Sequence, residues 1–411
     1  MFSKYAQIFQ VPGSLLFSLT GLFARLQMSM AGMGATLLIV HERDSYSLAA
    51  LVTAVFALAA AFIGPQVSRL VDRFGQHRIV PLQLSVHVPA ILALIFVAYG
   101  DGLEPLLLGL ALVAGSSQLS VGAMIRARWS KIYTGTPLLR TAFAVESLVD
   151  EVVFITGPPL ATVLALQVAP SAALLVATLI LTVGSVLLIL QRSTQPVPSG
   201  TTHPAPKGSA LFLPGVGALA GIMVFVGAVF GSFEITTIAV AQDAGAANWT
   251  GLLLAVYSFG SLIGGFAYGA REFRAHLPRQ FIIAVTALGI VTLPLAAMGN
   301  LVLLGIAAAV AGFAVAPVLI SVMSLVEYIV PAKRLTESIT WATGGLSVGL
   351  AGGLLISGAI VDNFAASNAY LVTSGAAVLA FVSAYLIRGV VGRAYQAAYF
   401  RGAQALQTAA L

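Results

Sequence analysis

The chain has 411 residues, of which 59% are hydrophobic and only 8% charged, and its mean hydropathy is +0.99. Charged side chains make up about a quarter of an ordinary soluble chain, so this composition excludes a soluble globular protein and indicates a polytopic membrane protein. The net charge of +6 is spread over short loops, which argues against nucleic acid as a partner, and with no cysteine in the chain disulfides and thiol–metal sites are excluded.

The N-terminus, Met1-Phe-Ser-Lys4-Tyr-Ala-Gln, has no small-residue cleavage site after a short apolar core, so the first apolar segment is expected to stay attached. Apolar runs recur at 16–40, 47–68, 79–99, 103–125, 139–167, 170–191, 211–241, 249–270, 279–298, 301–325, 336–361 and 368–390. Each is long enough to cross a bilayer, which predicts an all-α membrane protein with twelve transmembrane helices. Basic residues gather on one side of this threading. They are Lys4; Arg69, Arg73 and Arg78; Arg126, Arg128, Lys131 and Arg140; Arg192 and Lys207; Arg271, Arg274 and Arg279; Lys333 and Arg334; and Arg388, Arg393 and Arg401. Only Arg43 falls in a loop on the other side, and only Arg25 lies well inside a span, away from its ends. The bias predicts a multi-pass protein of the cell membrane with both termini in the cytoplasm.

In the first span Arg25 is followed by Ser29, Gly32 and Thr36, which share one helical face as a polar stripe. Three readings of Arg25 stand open: it contacts substrate together with Ser29, it pairs with Glu146 or Asp150, or it snorkels to the membrane surface. The fourth span offers neutral hydrogen-bonding groups, Ser116, Ser117, Gln118 and Ser120, with Gln118 a substrate-binding candidate.

The fifth span carries Glu146, Asp150 and Glu151 within six residues. Ionisable groups at membrane depth cost a few kcal/mol each on insertion scales and mark function. Glu146 and Asp150 share a face, while Glu151 points about 100° away. Asp150 and Glu151 are the candidates for carrying a coupling proton, the alternative being a structural pair hydrogen-bonded to helix one. Glu146, also a proton-coupling candidate, is nearer the cytoplasmic end, where a surface ion pair with Arg140 is expected. In the second half, Glu234 is mid-span in helix seven, and Trp341, near Thr340, Thr343 and Ser347, lines helix eleven; both are substrate-binding candidates.

A Pro/Ser/Thr/Gly-rich stretch between helices six and seven contains Pro196, Pro198, Pro204 and Pro206 and lacks apolar periodicity. It divides the chain into a six-helix bundle over 1–191, a cytoplasmic linker over 192–210 and a second six-helix bundle over 211–411. The halves are weakly alike: Ala50-Leu-Val-Thr-Ala-Val-Phe56 answers Gly251-Leu-Leu-Leu-Ala-Val-Tyr257, and Gly157-Pro158 answers Gly352-Gly353.

The loop after helix two, Ser68-Arg69-Leu70-Val71-Asp72-Arg73-Phe74-Gly75-Gln76-His77-Arg78, resembles the loop motif of the major facilitator superfamily, Gly-x-Leu-x-Asp-Arg-x-Gly-Arg-Arg/Lys. Ser68 replaces the first glycine, and Gln76-His77 the usual basic pair. The resemblance implies two pseudo-symmetric bundles, with Asp72, Arg73 and Gly75 in a conformational gate that clamps them on the cytoplasmic side, Asp72 near the start of helix eleven. Gly157-Pro158 resembles the helix-five motif of the drug–proton antiporters in that superfamily and adds both residues to the gate. Leu160-Ala161 replaces its closing glycines, and helix four, read as ending at 125, lacks that branch's arginine. The resemblance thus implies proton-coupled efflux of small amphipathic or cationic compounds by alternating access. Uptake of a nutrient and a non-transporting sensor are the alternatives. No catalytic constellation, metal-ligand spacing or cofactor motif is present, so no enzyme activity and no cofactor are expected. The expected partners are a small-molecule substrate, protons and the lipid bilayer, with the chain a monomer.

Overall fold

In a computed structural model, residues 7–100, 104–133, 136, 138–198, 209–269, 276–330 and 335–409 are described. Among them there is no strand, and twelve helical segments are long and apolar enough to cross a membrane. The all-α fold expected from the apolar runs is the fold observed. By internal packing the chain falls into two compact units, Met1–His203 with Ala246–Ala255, and Pro204–Gly245 with Val256–Leu411. Residues 199–208 of the expected linker lie outside the described residues.

The first unit contains α1 (Ser14–Arg43), α2 (Tyr46–Phe74), α3 (Gln76–Tyr99), α4 (Glu104–Ser116), α5 (Val121–Tyr133), α6 (Leu138–Gln167) and α7 (Ala172–Leu190). The second contains α8 (Val216–Asp243), most of α9 (Thr250–Gly269), α10 (Leu277–Val291), α11 (Leu301–Ile329), α12 (Leu335–Asn363) and α13 (Tyr370–Ala409). In the first unit α1 is central and packs against α2, α3, α5, α6 and α7. Arg43, at its last turn, donates to the carbonyls of Val97 and Ala98, both at 3.0 Å, and so satisfies free acceptors at the end of α3.

The fourth crossing departs from expectation. It runs from Glu104 to Tyr133 and is broken at Ser117–Ser120 into α4 and α5. Its second half contains Arg126, Arg128 and Lys131, which had been read as a cytoplasmic loop. The polar run Ser116-Ser117-Gln118 reads locally as a helix end, but Val121, Met124, Ile125, Trp129 and Tyr133 keep helical spacing beyond it, and all are buried.

Lipid tails are as apolar as leucine, so helices in a bilayer associate through close packing more than through the hydrophobic effect. The chain achieves this with glycine. A Cβ on Gly115 of α4 would lie 2.2 Å from the carbonyl oxygen of Phe56 in α2, and one on Gly312 of α11 would lie 2.0 Å from that of Tyr257 in α9. Phe56 and Tyr257 are the residues that correspond in the weak sequence repeat. Between α8 and α12 the contact is continuous: Gly227 faces Leu346, Gly231 faces Leu350, Gly349 faces Val224 and Gly353 faces Ala228, each closer to a backbone carbonyl than any Cβ allows.

The neighbouring glycines 352 and 353 make this testable. Gly353→Ala puts a methyl 2.3 Å from Ala228 O and is expected to lower the thermal midpoint of the detergent-purified protein. Gly352→Ala meets nothing within 4 Å and should leave it unchanged or raise it slightly, since alanine favours a helix by about 1 kcal/mol over glycine. Equal effects from the two variants would refute backbone-to-backbone packing of α8 on α12.

Candidate functional site

The site begins with a permanent charge in an apolar helix. Arg25 of α1 is 3% exposed. Its Nε donates to Gly21 O at 3.2 Å, Nη1 donates to Asp150 Oδ1 at 2.8 Å, and Nη2 pairs with the carboxylate of Glu146. Helical spacing in α6 presents both acids to α1 one turn apart. Glu146 is wholly buried and also accepts from Ser18 Oγ at 2.9 Å and from Trp129 Nε1 at 2.7 Å. The other oxygen of Asp150 accepts from Arg126 Nη2 of α5 at 2.7 Å. Two acids and two arginines therefore join α1, α5 and α6. Glu146 is enclosed, while Asp150 keeps a quarter of its side chain exposed.

Beside this network lies a pocket of about 400 Å³, walled by Arg25, Gln27, Gln118, Gly122, Arg126 and Asp150 among others. It opens at the break between α4 and α5. Gly122 leaves room for both arginines, since a Cβ there would stand 3.0 Å from Arg126 Nη1 and 3.7 Å from Arg25 Cδ. A larger cavity in the second unit, about 630 Å³ between α9, α10 and α11, is walled by groups such as Phe259, Ile263, Ile283 and Phe313 and has no carboxylate, arginine, lysine or histidine in its lining. Its polar feature is the Tyr268 hydroxyl, which donates to Gln280 Oε1 at 2.6 Å.

Of the three readings of Arg25, the structure shows pairing with both acids and no snorkelling. Glu146 requires a correction: it forms no surface pair but is the most enclosed acid of the network, because α6 turns it toward α1 and Trp129. The side chain of Arg140 is outside the described residues. Glu151 is half-buried and, among the described residues, makes no hydrogen bond or ion pair. Ser29 is not on the pocket wall; its hydroxyl donates to Val153 O of α6 at 2.9 Å. Gln118 is on the wall and donates to Gln27 Oε1 at 3.3 Å. Glu234 is half-buried in α8, without a hydrogen bond or ion pair among the described residues, and Trp341 is on α12, 38% exposed.

In the loop motif, Asp72 and Arg73 are exposed at the end of α2, and Arg73 lies over the Phe74 ring at 5.1 Å. Gly75 has φ +93°, a backbone shape that glycine alone adopts easily, and it turns α2 into α3. The start of helix eleven, from 331 to Glu337, has no described side chain. Gly157 is where α6 touches α1: a Cβ there would fall 1.8 Å from Ser29 Oγ. Pro158 and Pro159 continue α6 without interrupting it.

Sequence reasoning missed Gln27, Arg126 and Arg128. Arg128 is fully buried, and its guanidinium donates to Gln76 Oε1, Thr194 Oγ1 and the carbonyls of Leu188 and Gln191 at 2.7–2.9 Å. These carbonyls end α7, where a helix favours positive charge. The apolar spacing through Trp129 and Tyr133 was the available signal for both arginines. Gln27, an amide in an apolar span, left a fainter one.

The fold so described is a polytopic bundle of membrane-length helices that holds paired charges beside a pocket. Residues 17–274 match the Major Facilitator Superfamily, and the chain belongs to that family; it is a transporter of that superfamily. Among solved structures it is similar to a point mutant of the nucleoside transporter NupG, at 15% identity and TM-score 0.69, over 90% of this chain and 99% of that one. A bacterial homologue of the iron transporter ferroportin, in the inward-facing state, is similar at 15% identity and TM-score 0.67, over 91% and 99%. So is a bacterial homologue of the human lysosomal transporter Spinster, inward-facing and unoccupied, at 16% and 0.64, over 96% and 98%. No curated protein sequence matches the chain.

Two outcomes follow from the geometry. Glu146→Gln leaves the Arg25 charge buried with a weakened partner, and losses of about 3–5 kcal/mol accompany breaking a buried pair. Its thermal midpoint is expected to fall well below that of Asp150→Asn, whose partner Arg126 is a third exposed. Gly157→Ala is expected to destabilise the protein, and adding Ser29→Gly should restore much of the loss, because both close contacts come from the Ser29 side chain. Absence of rescue in unfolding scans would place the defect elsewhere.

Proposed function

We propose that the chain is a proton-coupled secondary transporter of the cell membrane that exports small amphipathic compounds by alternating access between two six-helix halves, with both termini in the cytoplasm. The observation that carries this reading is Asp150, which accepts from Arg25 of one helix and Arg126 of another at the edge of a pocket. Protonation cancels the charge that holds both arginines. Arg25 keeps Glu146, so α1 stays tied to α6, while the bridge from α6 to α5 opens. A contact that one proton makes or breaks is what a coupled carrier needs. Glu146 is the fixed anchor of this arrangement and Glu151 a second site for the proton. Gln118 and Arg25 meet the solute, and Asp72, Arg73, Gly75, Gly157 and Pro158 serve the change of access. Export is favoured over uptake by the likeness of Gly157-Pro158 to the antiporter motif.

A cationic solute is a second reading, favoured by Glu151 and Glu234, which lie half-buried with no hydrogen bond or ion pair among the described residues. In that case the positive charge of the solute replaces the proton on a carboxylate, with Trp341 as an aromatic contact.

The test is proton movement in proteoliposomes under an imposed pH gradient, with lipophilic cations and small metabolites added in turn. A compound is expected to evoke proton flux opposite to its own movement, and Asp150→Asn should lose that flux while remaining folded. Solute movement without proton movement would overturn the coupling, and movement of both in the same direction would replace export by uptake.

A further inference from the structure

Most of the pocket wall is apolar, and among its polar side chains Arg25, Gln27, Gln118 and Arg126 bring hydrogen-bond donors. The α4–α5 break exposes the N-terminus of α5, and the amides of Val121, Gly122 and Ala123, which line the pocket, have no backbone acceptor among the described residues. The first N–H groups of any helix lack intrahelical partners and carry the positive end of its dipole. On the opposite side of the break two carbonyls are engaged: Ala114 O accepts from Ser117 Oγ and lies 2.9 Å from His87 Nδ1, and Gln118 O accepts from Gln83 Nε2.

A second observation points the same way. Gln27 is 2% exposed and lines the pocket. Its Oε1 accepts from Gln118, which leaves Nε2 as the free end, and Nε2 has no hydrogen-bond partner. A buried amide donor without a partner is costly, and such groups are rare unless something fills them. Arg126 adds to this: among the described residues only its Nη2 is engaged in a hydrogen bond. The acid on the wall, Asp150, already accepts an arginine on each oxygen and offers little to a cation.

We propose that this pocket binds an anionic oxygen group of the transported solute, a carboxylate or a phosphate ester, held by the α5 amides, Gln27 Nε2 and the free edge of Arg126. The inference rests on the transport reading only in assigning that group to the solute. Helix N-termini with an adjacent arginine suit such oxyanions, and broken membrane helices commonly present their ends to anionic solutes.

The experiment is equilibrium binding to the full chain in nanodiscs, with no gradient, using benzoate, phenyl phosphate, benzylammonium and benzyl alcohol as probes. At least one anion is expected to bind, and which one identifies the group; benzyl alcohol and benzylammonium should bind weakly or not at all. Gln27→Leu should weaken anion binding about tenfold by removing one donor to a charged group. Gln27→Glu, of nearly the same size but repelling the ligand, should abolish it, with the thermal midpoint recorded for both. The inference is overturned if benzylammonium binds as tightly as the anions, if neither anion binds, or if folded Gln27 variants bind anions as wild type does. Proton flux evoked by a solute in liposomes, with no anion binding in nanodiscs, would sink this inference alone. Anion binding without flux would sink only the coupling.

Discussion

Arg25 carries a charge into an apolar helix, and the first unit is arranged around neutralising it. Moving such a charge out of water costs several kcal/mol unless an opposite charge and a full set of hydrogen bonds replace the water. Glu146 supplies the charge from α6, while Ser18 and Trp129 occupy its remaining acceptor capacity. Trp129 then needs α5 to be helical at that depth, which is why the fourth crossing resumes after its break. The indole sits among Phe9, Phe17 and Tyr133, whose ring centroids lie 4.6–5.9 Å away. One buried ion pair thereby sets the relation of α1, α5 and α6.

The two units hold their helices by different means. In the first, charge pairs and an arginine among carbonyls supplement close packing; Arg128 joins α5 to the end of α7, and Lys131 donates to the carbonyls of Ser193 and Gln195 just beyond. In the second, α8 and α12 meet through glycines with backbone against backbone. Both devices answer the same problem, that lipid offers no hydrophobic reward for bringing two helices together. The charged device leaves polar groups whose pairing can change, and the pocket is found beside it.

At that pocket the network is graded. Glu146 is sealed with three kinds of donor, Asp150 is shared between two arginines and stays a quarter exposed, and Glu151 makes no hydrogen bond or ion pair among the described residues. The broken fourth crossing contributes the other element, a helix N-terminus inside a membrane-length segment.

Composition and apolar run length determined the class, the twelve crossings and the all-α fold, because bilayer thickness imposes a length that the chain must write into its order of residues. The same logic exposed Arg25 and the three acids of α6, since charges within apolar segments are conspicuous. The loop around Gly75 was legible through its likeness to a family motif, and the positive φ of Gly75 came from the structure. Only the tertiary structure decided that Arg25 pairs with both Glu146 and Asp150, since Arg25 and Glu146 are 121 positions apart. It also decided that Ser117–Ser120 is a break within a crossing and not its end, and that Gly353 is pressed against a neighbour while Gly352 is free. Local sequence is nearly silent on such points, because each depends on which helix lies alongside.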